Sequence, residues 1–141
     1  MATPMTLRQQ KFQALKEKYE DQAEILSLPC PGLMEFIERG MLEGEELEAY
    51  LKEHLAPSLE KPLDAIVLGC THYPFVRPVI EKVAGPDVAI YDGGEGCARE
   101  MRRRLREKDL ENDQEAPGTV VFQNSLDTPE EEALAWRLFR S

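Results

Sequence analysis

The sequence predicts an α/β fold in which a mostly parallel sheet is flanked by helices. Four consecutive apolar residues at 65–68 are typical of a strand buried on both faces, as in parallel sheets that carry helices on each side. A second short apolar run at 88–91 predicts a second buried strand. Around these runs, apolar residues recur at helical spacing, so strands and helices alternate along the chain. We therefore expect right-handed crossovers between parallel strands.

The first element is expected to be a helix. Thr3 followed by Pro4 is typical of an N-cap and a first helical position, and the helix should end near Glu20. Thr6 with Gln9 offers an alternative capping box for the same helix.

One strand and two helices should follow before the central strand. Residues 24–28 form a mostly apolar run that predicts a strand. Apolar spacing predicts a short helix over 33–37, with Gly40 as its C′ residue, and a longer one over 45–55. Pro57 should lie beyond the end of that second helix.

Beyond the central strand the alternation continues to the end of the sequence. We predict a helix over 75–83, the strand at 88–91, a helix over about 97–108, a strand at 119–122 and a last helix that opens at Pro129. Doubly wound sheets usually have about five or more strands, whereas these patterns provide about four and start on a helix. The architecture is therefore expected to be incomplete at its N-terminal side.

Composition excludes several classes of partner. The chain of 141 residues carries 27 acidic and 17 basic residues, for a net charge of −10. Such a charge disfavours nucleic acid and anionic membrane as partners. No apolar run approaches the roughly 20 residues that span a bilayer. Three cysteines in no zinc-binding pattern indicate free thiols, and with no signal peptide visible we expect a cytoplasmic protein.

The best candidate site directly follows the central strand. Gly69 allows a turn, and Cys70, Thr71 and His72 come next, before Pro74 in the first turn of a helix. In open α/β sheets, ligands bind at the carboxyl ends of the strands. A nearby histidine and a helix N-terminus both lower the pKa of a thiol, so this spacing favours a reactive cysteine at position 70.

Less specific interpretations remain open for each of these residues. Cys70 could be an inert buried thiol, and Thr71 and His72 could serve only the loop backbone. Cys30 also follows a strand and opens a helix, which makes it either a partner for Cys70 or a small residue in a proline-bracketed turn. Cys97, within a helix, is expected to be a packing residue. A Cys/His hydrolase or thiol transferase would use the same pair of side chains.

The segment Leu68-Gly-Cys-Thr-His-Tyr-Pro74 resembles the second signature of the glutamate racemases. Two further matches accompany it. Thr3-x-x-Thr6 resembles the paired threonines of the family's substrate pocket, and Cys30-Pro31 with Glu38 resembles the segment whose glutamate supports the active-site histidine.

The resemblance implies an isomerase of the Asp/Glu racemase type, with flavodoxin-like lobes, that interconverts L- and D-glutamate for peptidoglycan synthesis. It implies a two-base mechanism without pyridoxal phosphate, metal or other cofactor. Cys70 would serve one face of the substrate and His72, supported by Glu38, would assist its proton transfer. Thr71, Thr3 and Thr6 would hold the substrate's polar groups.

The resemblance covers only the second half of a family member. The family's two lobes have nearly twice this length, and the expected Asp-Ser pair and second catalytic cysteine followed by Asn-Thr are absent from this sequence. Residues 1–91 would be the remainder of the second lobe and 92–141 the return segment of the first. We therefore expect little activity from the chain alone. A non-catalytic α/β module, a homodimer, or a half-enzyme that needs a complementary N-terminal partner are the alternatives.

Overall fold

The computed structural model describes residues 1–112, 114 and 116–140. These described residues form two compact units, one made of residues 1–92 and one that begins at residue 93. None of the helices in these described ranges is long and apolar enough to cross a membrane. The first unit contains helices α1 to α5 and both strands, and the second contains α6 and α7. The helices are α1 Pro4–Leu7, α2 Gln10–Tyr19, α3 Leu33–Glu38, α4 Glu45–Leu59, α5 Arg77–Ala84, α6 Gly94–Glu107 and α7 Pro129–Phe139. The strands are β1 Ala65–Val67 and β2 Ala89–Tyr91.

The two strands pair in parallel, as the alternation of elements predicts. Ile66 lies opposite Ile90 in the register of β1 and β2. The main chain of Met1 extends this layer on the other edge of β1, because its amino nitrogen donates to the Val67 carbonyl at 2.8 Å and its own carbonyl accepts from Gly69 N–H at 2.8 Å. Ala2 in turn bonds the backbone of Leu28 and Cys30. The layer thus runs in the order 28–30, 1–2, 65–69, 89–91.

The core of the first unit lies on one face of this layer. Helices α3, α4 and α5 supply fully buried side chains there, and Ile66 and Leu68 meet them from the layer. Val67, which points to the opposite face, is 61% exposed. The prediction that 65–68 is buried on both faces is therefore wrong, because helices of this unit cover one face only. The prediction that 88–91 is a buried strand fails for the same reason, since Tyr91 is 60% exposed.

Two predicted strands do not form. Residues 24–28 belong to no strand, and next to them only an isolated parallel bridge joins Ala2 to Pro29. Residues 119–122 also lie outside any strand. Both runs have strand-like composition, but a strand needs a paired neighbour. In the described residues only Leu28, at the end of the first run, has a backbone hydrogen bond to another segment.

Helix boundaries follow the predictions with four exceptions. The helix predicted over 75–83 is a 3₁₀ turn, Tyr73–Val76, followed by α5 from Arg77. The Thr3 side chain caps α1 by accepting from Thr6 N–H at 3.2 Å, but the predicted single helix to Glu20 breaks at Gln9, whose backbone is extended. Helix α4 continues past Pro57 instead of ending before it. Helix α6 begins at Gly94 rather than near Cys97.

The ends of α3 and α7 agree with prediction. Gly40 adopts a positive φ of 72° after α3, and its N–H donates to the Ile37 carbonyl at 2.8 Å while Met41 N–H donates to Phe36 at 2.9 Å. These two bonds form the Schellman motif that a C′ glycine favours. Thr128 caps α7, whose first helical residue is Pro129.

The second unit packs around three aromatic rings. Phe122 contacts Trp136 edge-on, with ring centroids 4.8 Å apart, and lies 5.8 Å from the ring of Phe139. No residue of α6 or α7 is buried.

Candidate active site

The candidate site is built where the chain leaves β1. Gly69 passes so close to the amino-terminal residues that a Cβ on it would lie 3.2 Å from the Met1 carbonyl oxygen and 3.3 Å from the Ala2 Cβ. Glycine therefore permits the approach of these two segments. After Cys70 and Thr71 the chain enters a 3₁₀ turn, Tyr73–Val76, and Tyr73 is fully buried beneath the site. Its hydroxyl donates to the Cys30 carbonyl at 3.2 Å, which ties the loop to the neighbouring segment.

Cys70, His72 and Glu38 form a continuous line of contacts. The Cys70 Sγ lies 3.8 Å from His72 Nδ1, and His72 Nε2 lies 2.5 Å from Glu38 Oε1. A carboxylate accepts hydrogen bonds, so we assign the imidazole proton to Nε2. That tautomer leaves Nδ1 as the acceptor that faces the thiol. This geometry allows the imidazole to take a proton from Cys70, and Glu38 is placed to stabilise the imidazolium that would form.

The line runs from a partly enclosed thiol toward solvent. Cys70 is partly buried, the His72 side chain is 28% exposed and the Glu38 side chain is 50% exposed. Glu38 is the last residue of α3. Helix α3 packs against the 3₁₀ turn that follows His72. The contact between α3 and this turn is what brings residues 38 and 72 together.

The three threonines are placed differently from one another. Thr3 and Thr6 share a hydrogen bond of 2.9 Å between their hydroxyl oxygens, next to the end of the Met1–Ala2 segment. Thr71 is exposed, and in the described residues its side chain makes no hydrogen bond. Within that same part of the chain, none of the three hydroxyls bonds to Cys70 or His72. The carboxyl ends of parallel segments share an edge, which puts Thr3 and Thr71 on the same edge of the layer.

The other two cysteines differ sharply in environment. Cys30 is 1% exposed, its thiol lies 3.7 Å from the Leu28 carbonyl oxygen, and burial raises its pKa to about 11. A thiol with that pKa is a poor base at neutral pH. Cys97 is exposed on α6, so the expectation that it packs in a core is wrong. Its helix carries no buried face in this unit.

Two contributors to the site's geometry were not singled out from the sequence. Tyr73 acts as the buried anchor described above. Arg77, at the start of α5, forms an ion pair with Asp92 at the end of β2 and donates to the Ile90 carbonyl at 3.0 Å. Asp92 directly follows β2, and this position in the sequence was a signal that it lies at the same edge of the sheet as Cys70.

The proteins to which this chain is similar are glutamate racemases. No family model matches the chain. A glutamate racemase of Clostridium botulinum is 50% identical over 125 residues, which are 89% of this chain and 48% of that protein. One from Clostridium perfringens is 48% identical over 127 residues, 90% of this chain and 49% of that protein. This chain is a homologue of glutamate racemase. It spans about half the length of the curated relatives it matches, and the matched half is the C-terminal one.

Solved structures agree with this assignment. Escherichia coli glutamate racemase, in complex with L-glutamate and an activator, UDP-MurNAc-Ala, matches 99% of this chain and 52% of its own, with a TM-score of 0.78 and 25% identity. The Francisella tularensis racemase in complex with D-glutamate covers 92% of this chain and 48% of its own, with a TM-score of 0.77 and 25% identity. The incomplete α/β fold is therefore of the Asp/Glu racemase type. A hydrolase or thiol transferase is not favoured by any of these relatives.

Proposed function

We propose that this chain supplies half of the active site of a cofactor-independent glutamate racemase, with Cys70 as the acid/base for one face of the substrate. The observation that carries the proposal is the contact line from Cys70 through His72 to Glu38. Homology to glutamate racemases names the substrate class, L- and D-glutamate.

Racemisation requires one proton transfer on each face of the α-carbon of glutamate. In one direction the Cys70 thiolate takes the α-proton of glutamate and becomes a thiol, and the electron pair stays on the α-carbon. A second acid on the opposite face then delivers its own proton to that carbon, which inverts the configuration. His72 prepares Cys70 by accepting the thiol proton at Nδ1, with its imidazolium held by Glu38.

Hydroxyl groups at the shared edge would bind the polar groups of the substrate. Thr71 adjoins Cys70 in the chain and is exposed, so its hydroxyl is free to meet a ligand. The Thr3–Thr6 pair offers two adjacent hydroxyls at the end of the neighbouring segment. We assign these three residues to substrate binding.

The second acid/base has no good candidate among the described residues. Cys30 is buried and its raised pKa of about 11 suits a packing residue. We therefore propose that turnover needs a complementary N-terminal polypeptide, and that the isolated chain is nearly inactive. A homodimer that places two Cys70 thiols face to face is the alternative arrangement.

Complementation tests the proposal directly. D-glutamate formed from L-glutamate is measured by chiral chromatography for this chain alone, for the N-terminal half of the Clostridium botulinum relative alone, and for their mixture. We expect turnover only in the mixture, and at least about a 100-fold loss with Cys70→Ala, the usual scale for a positioned acid/base. Cys97→Ala removes a thiol on exposed α6 and should leave turnover unchanged.

Two results would contradict the assignment. Full turnover by the Cys70→Ala mixture would remove the catalytic role of that thiol. Turnover by this chain alone that rises with the square of its concentration would favour the homodimer.

The product and the free thiols suggest a biological setting. D-glutamate is the amino acid that glutamate racemases provide for peptidoglycan, and we propose the same role for the complete protein. Three unpaired cysteines fit a reducing compartment, so we place the reaction in the cytoplasm.

A further inference from the structure

A single loop carries both Cys70 and His72, and β2 fixes this loop at each of its ends. We call the loop, residues 69–76, the site loop. Directly before it, the Leu68 N–H donates to the Tyr91 carbonyl at 2.7 Å. The other end of the site loop is held by a side chain, that of the residue which directly follows it.

Arg77 fixes this second end. Its guanidinium donates through Nη1 to the Ile90 carbonyl at 3.0 Å and through Nη2 to the Asp92 carboxylate. The backbone N–H of Arg77 donates to the Pro74 carbonyl and so closes the 3₁₀ turn of the site loop. One residue therefore joins the turn to the end of β2, and a displacement of Arg77 would be transmitted to the turn.

The contacts between Arg77 and β2 are partly shielded from water. The Arg77 side chain is 31% exposed and the Asp92 side chain is 19% exposed. A planar guanidinium can hold two acceptors at once, and charge-assisted hydrogen bonds are stronger than neutral ones. Glu81 lies 3.6 Å from the same guanidinium, but it is 51% exposed and belongs to α5 itself. Loss of the Glu81 charge should therefore leave the site loop attached to β2.

The contact between the thiol and the imidazole depends on the shape of the site loop. The Cys70 Sγ and His72 Nδ1 atoms are 3.8 Å apart, which is a long contact even for sulfur. His72 is also held by Glu38, which lies on α3. A shift of the loop relative to α3 would thus separate the imidazole from the thiol or from the carboxylate. Misplacement of reacting groups by about 1 Å can lower a rate about 100-fold.

We propose that Arg77 is a positioning residue for the Cys70 thiol, with Asp92 as its counter-ion. By holding the end of the site loop against β2, Arg77 keeps the thiol within reach of the His72 imidazole. The proposal rests on the proposed acid/base role of Cys70. It adds to that role a residue that acts through the loop rather than by contact with the reacting atoms.

Alkylation of Cys70 by iodoacetamide tests the proposal on the full chain alone. The measurement uses a Cys97→Ala background at neutral pH, and peptide mass spectrometry quantifies the label on Cys70. His72→Gln shows how much of the rate depends on the imidazole, which we expect to be about ten-fold for a thiol that is otherwise mostly protonated. Arg77→Met should slow alkylation about as much as His72→Gln. The double variant should be no slower than either single variant, because both changes remove the same contact.

Three further variants separate positioning from charge. Asp92→Asn should slow alkylation about three-fold, because Arg77 then keeps its bond to Ile90 but loses its charged acceptor. Arg77→Lys keeps the positive charge but brings one ammonium to two acceptors, so it should recover only part of the rate. Glu81→Gln is the matched control and should leave the rate unchanged. Full recovery with Arg77→Lys would show that charge alone is sufficient and would overturn the positioning role.

Racemisation provides a second readout. In the complementation mixture, Arg77→Met should lower kcat about ten-fold and leave KM unchanged, because the change affects the thiol and not the binding of glutamate. An increase in KM at constant kcat would assign Arg77 to substrate binding and overturn the proposal.

The alkylation rates also define the results that would contradict the proposal. Slowing by Arg77→Met that adds to the effect of His72→Gln, or that Glu81→Gln reproduces, would overturn it. Circular dichroism shows whether each variant is folded, and if Arg77→Met is not, Asp92→Asn takes its place in the same comparison, where an unchanged rate would overturn the proposal. A mixture of unmodified halves without turnover would refute the proposed function, whereas alkylation would still decide the role of Arg77.

Discussion

In residues 1–92, three helices cover one face of a strand layer, whereas α6 and α7, the helices of the described residues from 93 onward, have no buried side chain. The first unit contains Leu47, Leu51 and Leu55 of α4 at 0% exposure. In the second unit, Met101 of α6 is 63% exposed and Phe139 of α7 is 59% exposed. The two units therefore have different sources of helical stability.

Helix α4 is held by tertiary burial, while α6 depends on local interactions. Along α6, Arg99 pairs with Glu95, and Arg103 and Arg104 both pair with Glu100. Exposed ion pairs at helical spacing contribute only about 0.3–0.5 kcal/mol each. The comparison teaches that sequence pattern alone predicts both helices equally well, although only α4 gains substantially from packing.

The largest expected effect comes from removing core volume in the first unit. Leu51→Ala should lower the free energy of unfolding by about 2–5 kcal/mol, because it removes a fully buried side chain and leaves a cavity. Met101→Ala on exposed α6 should change it by less than about 0.5 kcal/mol. Urea unfolding followed by circular dichroism measures both. Equal losses would show that α6 is buried in solution.

The cysteines of the two units should differ in their effect on stability at alkaline pH. The pKa of Cys30 is raised from 9.0 to about 11 by burial, so between those pH values the unfolded chain loses a proton that the folded chain keeps. Stability should therefore fall as pH rises from 9 to 11, by about 2–3 kcal/mol in total. Cys30→Ala should remove this loss of stability between pH 9 and 11, whereas the Cys97→Ala variant should still show it. Unfolding midpoints recorded at intervals from pH 8 to 11 provide the comparison.

A smaller effect is expected at the anchor beneath the site. Tyr73→Phe removes the hydroxyl that donates to the Cys30 carbonyl and should cost about 0.5–1.5 kcal/mol. Tyr91→Phe changes a side chain that is 60% exposed and serves as the matched control. Thermal unfolding measures the difference between the two variants. A larger loss for Tyr91→Phe would contradict the anchoring role of Tyr73.

The smallest effect is expected on the surface of α6. Glu100 accepts hydrogen bonds from Arg103 and Arg104, and these bonds lower its pKa to about 2, but the Glu100 side chain is 50% exposed to solvent. Glu100→Gln should leave the unfolding midpoint unchanged in 0.5 M salt, because exposed charges are screened. A clear loss of stability at that salt concentration would indicate that α6 is sheltered from solvent.

The sequence predicted correctly those elements whose ends are determined by residues at or next to the element itself. Gly40 after α3, Pro129 at the start of α7 and the apolar run of β1 each predicted an element that the structure contains. The predicted strands at 24–28 and 119–122 do not form, because strand pairing depends on two segments and the composition of one segment does not reveal its partner. The prediction that β1 is buried on both faces was wrong for a related reason. An apolar run indicates that both faces of a strand can be buried, but it does not show that this unit has a helix to cover each face.

In the candidate site, too, the sequence predicted the local contact but not the long-range one. Cys70 and His72 are two residues apart, so the sequence alone brought them together. Glu38 lies 34 residues from His72, and no periodicity could predict their contact. Family resemblance named that glutamate, and the packing of α3 against the 3₁₀ turn is the physical cause of the contact.

The half-exposed carboxylate of Glu38 connects the thiol of Cys70 to bulk water through a single imidazole. A hydrogen isotope that reaches Cys70 therefore has a short route to exchange with solvent before it can return to carbon. In a racemase assembled on this half, label on the α-carbon of glutamate should wash out into the solvent whenever Cys70 abstracts it. The position of one surface carboxylate would thus determine how long the site retains the isotope it has removed.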